Sequence, residues 1–102
     1  MENNILLDGI IELTQKKDMI WRKSFFNNYT ELYSVTYPIL NTKIKININL
    51  SIKKTNKNDL LSIYIIKRCH FPYKNINKSD VDNNLFDKLI QVIKEQIKEQ
   101  VN

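Results

Sequence analysis

Three groups of residues have the types and spacing to do chemistry. Cys69 and His70 are adjacent, as a thiol nucleophile with its base or a pair of metal ligands would be. Asp80, Asp82 and Asp87 lie close together, on paper a set of paired carboxylates for acid–base work. Lys43, Lys45, Asn47, Asn49, Ser51 and Lys53 alternate with apolar residues, and a segment carrying Tyr64, Ile66 and Arg68 follows. Cations and amides beside an aromatic ring suit a phosphate backbone, with the ring stacking on a base. They suit an acidic protein surface equally well.

The first two groups carry structural readings. Neighbouring positions on a strand point to opposite faces, which separates the Cys69 thiol from the His70 imidazole. Each is the only residue of its kind, so no zinc site can be completed within one copy and no intrachain disulfide can form. A site shared across a homodimer is the only route to a metal. The three aspartates fall at the start of a helix, where they complement its dipole. Glycine occurs once, at Gly9, which excludes a glycine-rich phosphate loop. No catalytic signature remains, and neither a cofactor nor a metal is expected.

At 102 residues the chain is one small domain, residues 1–102, with a single modest core. Ile, Lys and Asn supply 44 of those residues and Ala is absent, a bias that follows AT-rich codons. A bacterium with such a genome, or a phage or plasmid living in one, is the expected source. Net charge is +5, and residues 41–78 alone sum to +8. A concentrated basic stretch binds nucleic acid or acidic protein, or is simply a solvated face. The N-terminus carries Glu2 and Asp8 and has no basic signal-peptide region. No apolar run approaches the ~20 residues a membrane helix needs. A soluble protein of the bacterial cytoplasm is expected, and a lone free thiol agrees with a reducing compartment.

Stepwise patterning predicts the elements that would position these residues. Residues 3–17 read as a helix with Ile5, Leu6, Leu7, Ile10, Ile11 and Leu13 as its apolar stripe. Gly9 inside it points to close packing on a sheet, or to a frayed first turn. Met19–Arg22 reads as a short strand, 25–29 as a turn or strand connection, and 31–37 as a strand that Pro38 closes. Ile44, Ile46, Ile48, Leu50 and Ile52 alternate with polar residues, which means one buried and one wet strand face. Residues 54–59 form a turn and 60–68 a further strand. Residues 70–78 read as a loop around Pro72. Ser79 is the expected cap of a last helix, whose stripe is Val81, Leu85, Leu89, Val92, Ile93 and Ile97 with Phe86 beside it. The fold class is α+β. It comprises an antiparallel three- to four-stranded meander with N- and C-terminal helices packed on one face. The core face takes the Ile44–Ile52 series, Leu61, Ile63, Ile65, Tyr33, Val35 and Tyr37. Tyr29, Tyr33 and Tyr37 share one parity and form a core rim with wet hydroxyls, or an interface anchor.

An N-terminal helix, Thr14, Trp21 seven residues later, a strand meander and a C-terminal amphipathic helix together resemble many small bacterial and phage proteins. A Gly-Lys pair often precedes the tryptophan strand in them, and Lys17-Asp18 stands here instead. The resemblance implies an α+β fold and brings no catalytic residues. Some of those proteins look like products of phage–host conflict.

The expected site is the sheet face opposite the isoleucines. Lys43, Lys45, Asn47, Lys53, Tyr64, Ile66 and Arg68 bind there, and Leu32, Ser34 and Thr36 complete the surface. The expected function is non-catalytic protein binding, as an inhibitor or anti-defence factor that occupies an acidic surface of a partner. Self-association is open to it through uncovered strand edges. The alternative is a nucleic-acid-binding regulator using the same face. Arginine occurs only twice, which counts against that alternative. Neither a membrane nor a small-molecule cofactor is expected as partner.

Overall fold

The computed structural model describes residues 2–27, 30–38, 45–53, 59–66 and 70–101; for residues 2, 25–27, 60, 62–66, 70–73 and 101 it describes the backbone alone. The element order is α1 (Glu2–Gln15), β1 (Arg22–Asn27), β2 (Thr30–Pro38), β3 (Lys45–Lys53), β4 (Leu60–Ile66), β5 (His70–Asn77), a 3-10 turn (Lys78–Asp80) and α2 (Asn83–Val101). Each strand pairs antiparallel with the next, giving one sheet in the order β1-β2-β3-β4-β5. This is the expected α+β meander flanked by terminal helices, with a fifth strand.

The fifth strand corrects the loop expected at 70–78. Those residues pair with β4 from Leu60–Asn77 to Ile66–His70. Pro72 has no amide proton for a ladder, which argues against a central strand but not an edge strand. The register also slips beside it, between Ile63 and Tyr64, and such bulges accommodate residues that a regular ladder rejects. A second correction falls at the first strand, which begins at Arg22 rather than ending there.

Helix α1 stops on a left-handed residue. Lys17 has φ 64°, and the Lys17 and Asp18 amides donate to the carbonyls of Thr14 and Leu13 at 3.1 and 2.9 Å. This is the closure that glycine usually supplies. The one glycine sits elsewhere: Gly9 is exposed in mid-helix, and a Cβ built on it meets nothing within 4 Å. The close packing expected there is absent. Helix α2 is capped by Asp82, whose Oδ1 accepts the Asn84 amide at 2.9 Å. Ser79, the expected cap, lies one turn earlier in the 3-10 segment.

Strand alternation builds the core. Tyr33, Leu50, Leu61 and Ile76 stand in register across four strands, and Val35 pairs with Ile48. All six are buried together with Leu7, Ile10 and Ile11 of α1 and Phe86, Leu89 and Ile93 of α2. Both helices therefore cover the same side of the sheet. Tyr37, Ile46 and Ile52 pack around this centre. Ile44 and Tyr29 lie outside the described residues, as do the side chains of Ile63 and Ile65. Ile5 departs from the expected stripe and is 72% exposed.

The helices run parallel. Asn4 near the start of α1 accepts the Asp82 amide at the start of α2, while Lys17 beyond the end of α1 reaches Glu99 near the end of α2. Strand number accounts for this. An odd antiparallel meander points β1 and β5 the same way, and each helix folds back along its neighbouring strand.

A buried polar network locks this layer. The Thr14 hydroxyl donates to the Ile10 carbonyl and accepts the Trp21 indole N–H at 2.9 Å. Gln96 of α2 accepts the Trp21 amide at 2.7 Å and donates to the carbonyls of Thr14 and Met19. Gln100 donates to the Trp21 carbonyl at 3.1 Å. Trp21 is a core residue, fully buried, and its spacing from Thr14 is the distance across the helix–strand corner.

Candidate functional site

Both helices cover one side of the sheet, and among the described residues nothing covers the other. Its residues follow from the register. One row runs Arg22, Ser34, Asn49, Ser62, Asn75 across all five strands, a width of about 19 Å at ordinary strand spacing. A second runs Ser24, Leu32, Ser51, Leu60, Asn77, and a third Thr36, Asn47, Tyr64, Pro72. Pro38, Lys45, Ile66 and His70 follow at one end, and Thr30 with Lys53 at the other.

The expected binding residues thus fall together as far as they are described. Lys45, Asn47 and Lys53 share this face, and Asn47 Nδ2 donates to Thr36 Oγ1 at 3.0 Å across the strands. Tyr64 and Ile66 hold register positions beside Asn47 and Lys45. Lys43 and Arg68 lie outside the described residues, as does Cys69, while His70 is described by its backbone pairing with Ile66. Several positions join that the sequence reading left out, and three of them are polar residues with a clear reason. Arg22 enters because β1 starts at it, and Asn75 and Asn77 enter because 70–77 is a strand.

Charge is divided between the two layers. None of the residues at the open-face positions is acidic, whereas Arg22, Lys45 and Lys53 are cationic. Among the described residues, the Asp and Glu residues other than Glu31 and Asp59 lie in or beside the helices; Asp59 is buried just before β4, where its Oδ1 accepts the Lys53 amide at 3.2 Å. Glu31 is the one acidic residue of the strands, and alternation turns it to the helix side with Tyr33 and Val35. Its carboxylate is 16% exposed and accepts the Tyr33 hydroxyl at 3.0 Å, with Lys23 and Lys94 at 3.8 and 3.9 Å. Burial, then the hydrogen bond to Glu31, pushes the Tyr33 phenol up to about 12. The expected wet hydroxyl at Tyr33 is instead held inside the structure.

The aspartates take structural places. Asp82 caps α2, Asp87 pairs with Lys78 at 2.7 Å, and Asp80 accepts from Asn77. The Asp87 partner also holds the Lys78 ammonium above its ordinary pKa. Among the described residues no three His, Cys, Asp or Glu side chains gather as a metal would require. No described helix is long and apolar enough to cross a membrane. The open face offers amide and hydroxyl donors and exposed cations, which is the chemistry of recognition by contact.

No family model matches the chain, and no curated protein or solved structure is similar to it.

Proposed function

We propose that this chain is a non-catalytic binding protein that seats an acidic surface of a larger protein on the open face of its sheet. The supporting observation is the division of charge: among the described residues, the open-face positions of the five strands hold Arg22, Lys45 and Lys53, otherwise neutral residues, and no acidic one. A face of this kind attracts a partner of opposite sign and repels others like itself. Occupying a partner's surface would make the chain an inhibitor; its Ile-, Lys- and Asn-rich composition fits an AT-rich bacterial or phage source, and the resemblance to small bacterial and phage proteins suggests the anti-defence role.

Affinity capture from an AT-rich bacterial host, with nuclease present, tests this. One stoichiometric protein is expected to come down with the parent chain. The Lys45→Glu/Lys53→Glu variant, which alters only exposed residues, is expected to lose it while melting within about 0.5 kcal/mol of the parent. Retention by the variant removes the face from consideration. Recovery of nucleic acid alone, lost on nuclease treatment, replaces the protein partner with a nucleic acid.

A further inference from the structure

The edge of the sheet beside β1 is incomplete. Pairing of β1 with β2 stops at Arg22–Ser34, although β2 continues to Pro38. The same register would set Trp21 against Val35 and Ile20 against Thr36. Trp21 does not take up that pairing because α2 holds its backbone: its amide donates to Gln96 and its carbonyl accepts from Gln100. The glutamines thus draw the chain off β2. Among the described residues, no strand lies beside Val35–Pro38 on this edge.

A notch of about 420 Å³ opens there, lined by Ile20, Arg22, Ser34, Val35 and Thr36. Ile20 is 49% exposed at its wall, second among the described large hydrophobic side chains after Ile5. Arg22 is exposed and makes no ion pair with the described residues. Among the described residues no carboxylate lines the notch. An open strand edge, an apolar wall and a guanidinium with no ion pair among the described residues are three separate features of one place. An unpaired edge is a template for another strand. Main-chain bonds along it supply affinity, and flanking side chains supply selection.

We propose that Val35–Pro38 accepts an extended acidic segment of a partner protein, which continues the row that β1 leaves unfinished. The incoming strand pairs with β2, lays an apolar side chain against Ile20 and sets a carboxylate on Arg22. The proposal rests on the protein-binding reading above and gives that partner a shape: a strand at the notch, continuous with the open face.

Titration of the isotope-labelled full chain with seven-residue peptides tests it. The peptides alternate apolar and polar residues and differ only in carrying aspartate, serine or lysine at the polar positions. The aspartate peptide is expected to shift the amides of Ser34, Val35, Thr36 and Tyr37 and slow their exchange. Arg22→Glu and Ile20→Asp, both at exposed positions, are each expected to weaken it roughly tenfold. Lys88→Glu, an exposed charge reversal on α2 away from both the open face and the notch, is expected to leave the titration within about twofold. The proposal is overturned if no peptide moves those amides at millimolar concentration, or if lysine and aspartate peptides bind alike. It is also overturned if the same amides shift with the chain's own concentration and the chain sediments as a dimer, which assigns the edge to a second copy. Partner capture lost in the Lys45→Glu/Lys53→Glu variant, with these amides unmoved by any peptide, keeps the open face and discards the notch. A normal peptide titration, with capture indifferent to those lysines, does the reverse.

Discussion

Glycine in a helix interior costs about 1 kcal/mol against alanine, and nothing in the described fold offsets that cost at Gly9. Its backbone is not left-handed, and a methyl group there meets open space. Gly9→Ala is therefore expected to stabilise the chain by about 1 kcal/mol, raising Tm by about 4–8 °C. A lower Tm would mean that the site is packed in solution by something outside the fold. Tyr33 carries a prediction in pH. Its phenol ionises at about 12 in the folded chain, above the ordinary value near 10. The folded state thus holds the proton more tightly than the unfolded state. That contribution is complete below about pH 10 and lost as pH rises toward about 12. Tyr33→Phe should flatten this alkaline decline in urea-melt stability relative to the parent. Lysines titrate in the same range, so the difference between the two chains is the quantity to read. Equal slopes would show that the Tyr33 hydroxyl plays no part.

Gln96 governs the corner between α1, β1 and α2. Its amide joins the Trp21 amide to two carbonyls, those of Thr14 and Met19, at distances from 2.7 to 3.1 Å. Gln96→Leu fills similar space but deprives the Trp21 amide and the Met19 carbonyl of their partner, while the Thr14 carbonyl keeps the Lys17 amide, at about 1–3 kcal/mol for each group left unsatisfied. A loss of about 3 kcal/mol or more in urea melts is expected, and a loss under about 1 kcal/mol would mean that water or the backbone replaces the side chain. This glutamine was not legible in the sequence, because a polar residue next to Ile93 and Ile97 reads as the edge of a stripe. Strand β3 was legible, since period-two alternation over 45–53 leaves no helical reading. Strand β5 was not, because Pro72 is a stop signal unless the strand is known to be an edge. The cap of α2 was displaced for a similar reason: Ser79 and Asp82 are both good caps, and only the 3-10 turn decides between them. The candidate face inherits this pattern. Lys45, Asn47 and Lys53 were readable from β3 alone, whereas Arg22, Asn75 and Asn77 needed the true limits of β1 and β5.

For the whole molecule, strand parity and charge act together. Five strands set the terminal helices parallel, and both pack on the same side of the sheet. The carboxylates of α1 and α2 therefore gather in one layer, and the outward residues of the sheet are left cationic or neutral. No single residue encodes that separation. It arises from the alternation of β2 and β3, which turns Glu31 inward and Lys45 and Lys53 outward. The chain is thus an oriented charge distribution with a net charge of +5. Such a molecule approaches an acidic partner face-first, so charge acts on the encounter more than on the lifetime of the complex. The association rate with the captured partner is expected to fall about tenfold or more from low to physiological ionic strength, as the Debye length shrinks toward 8 Å. Dissociation should change by less than about twofold over the same range. Stopped-flow mixing at several salt concentrations separates the two. A salt-independent association rate would mean that the cationic face does not lead the encounter, and the layered charge would then be a consequence of folding alone.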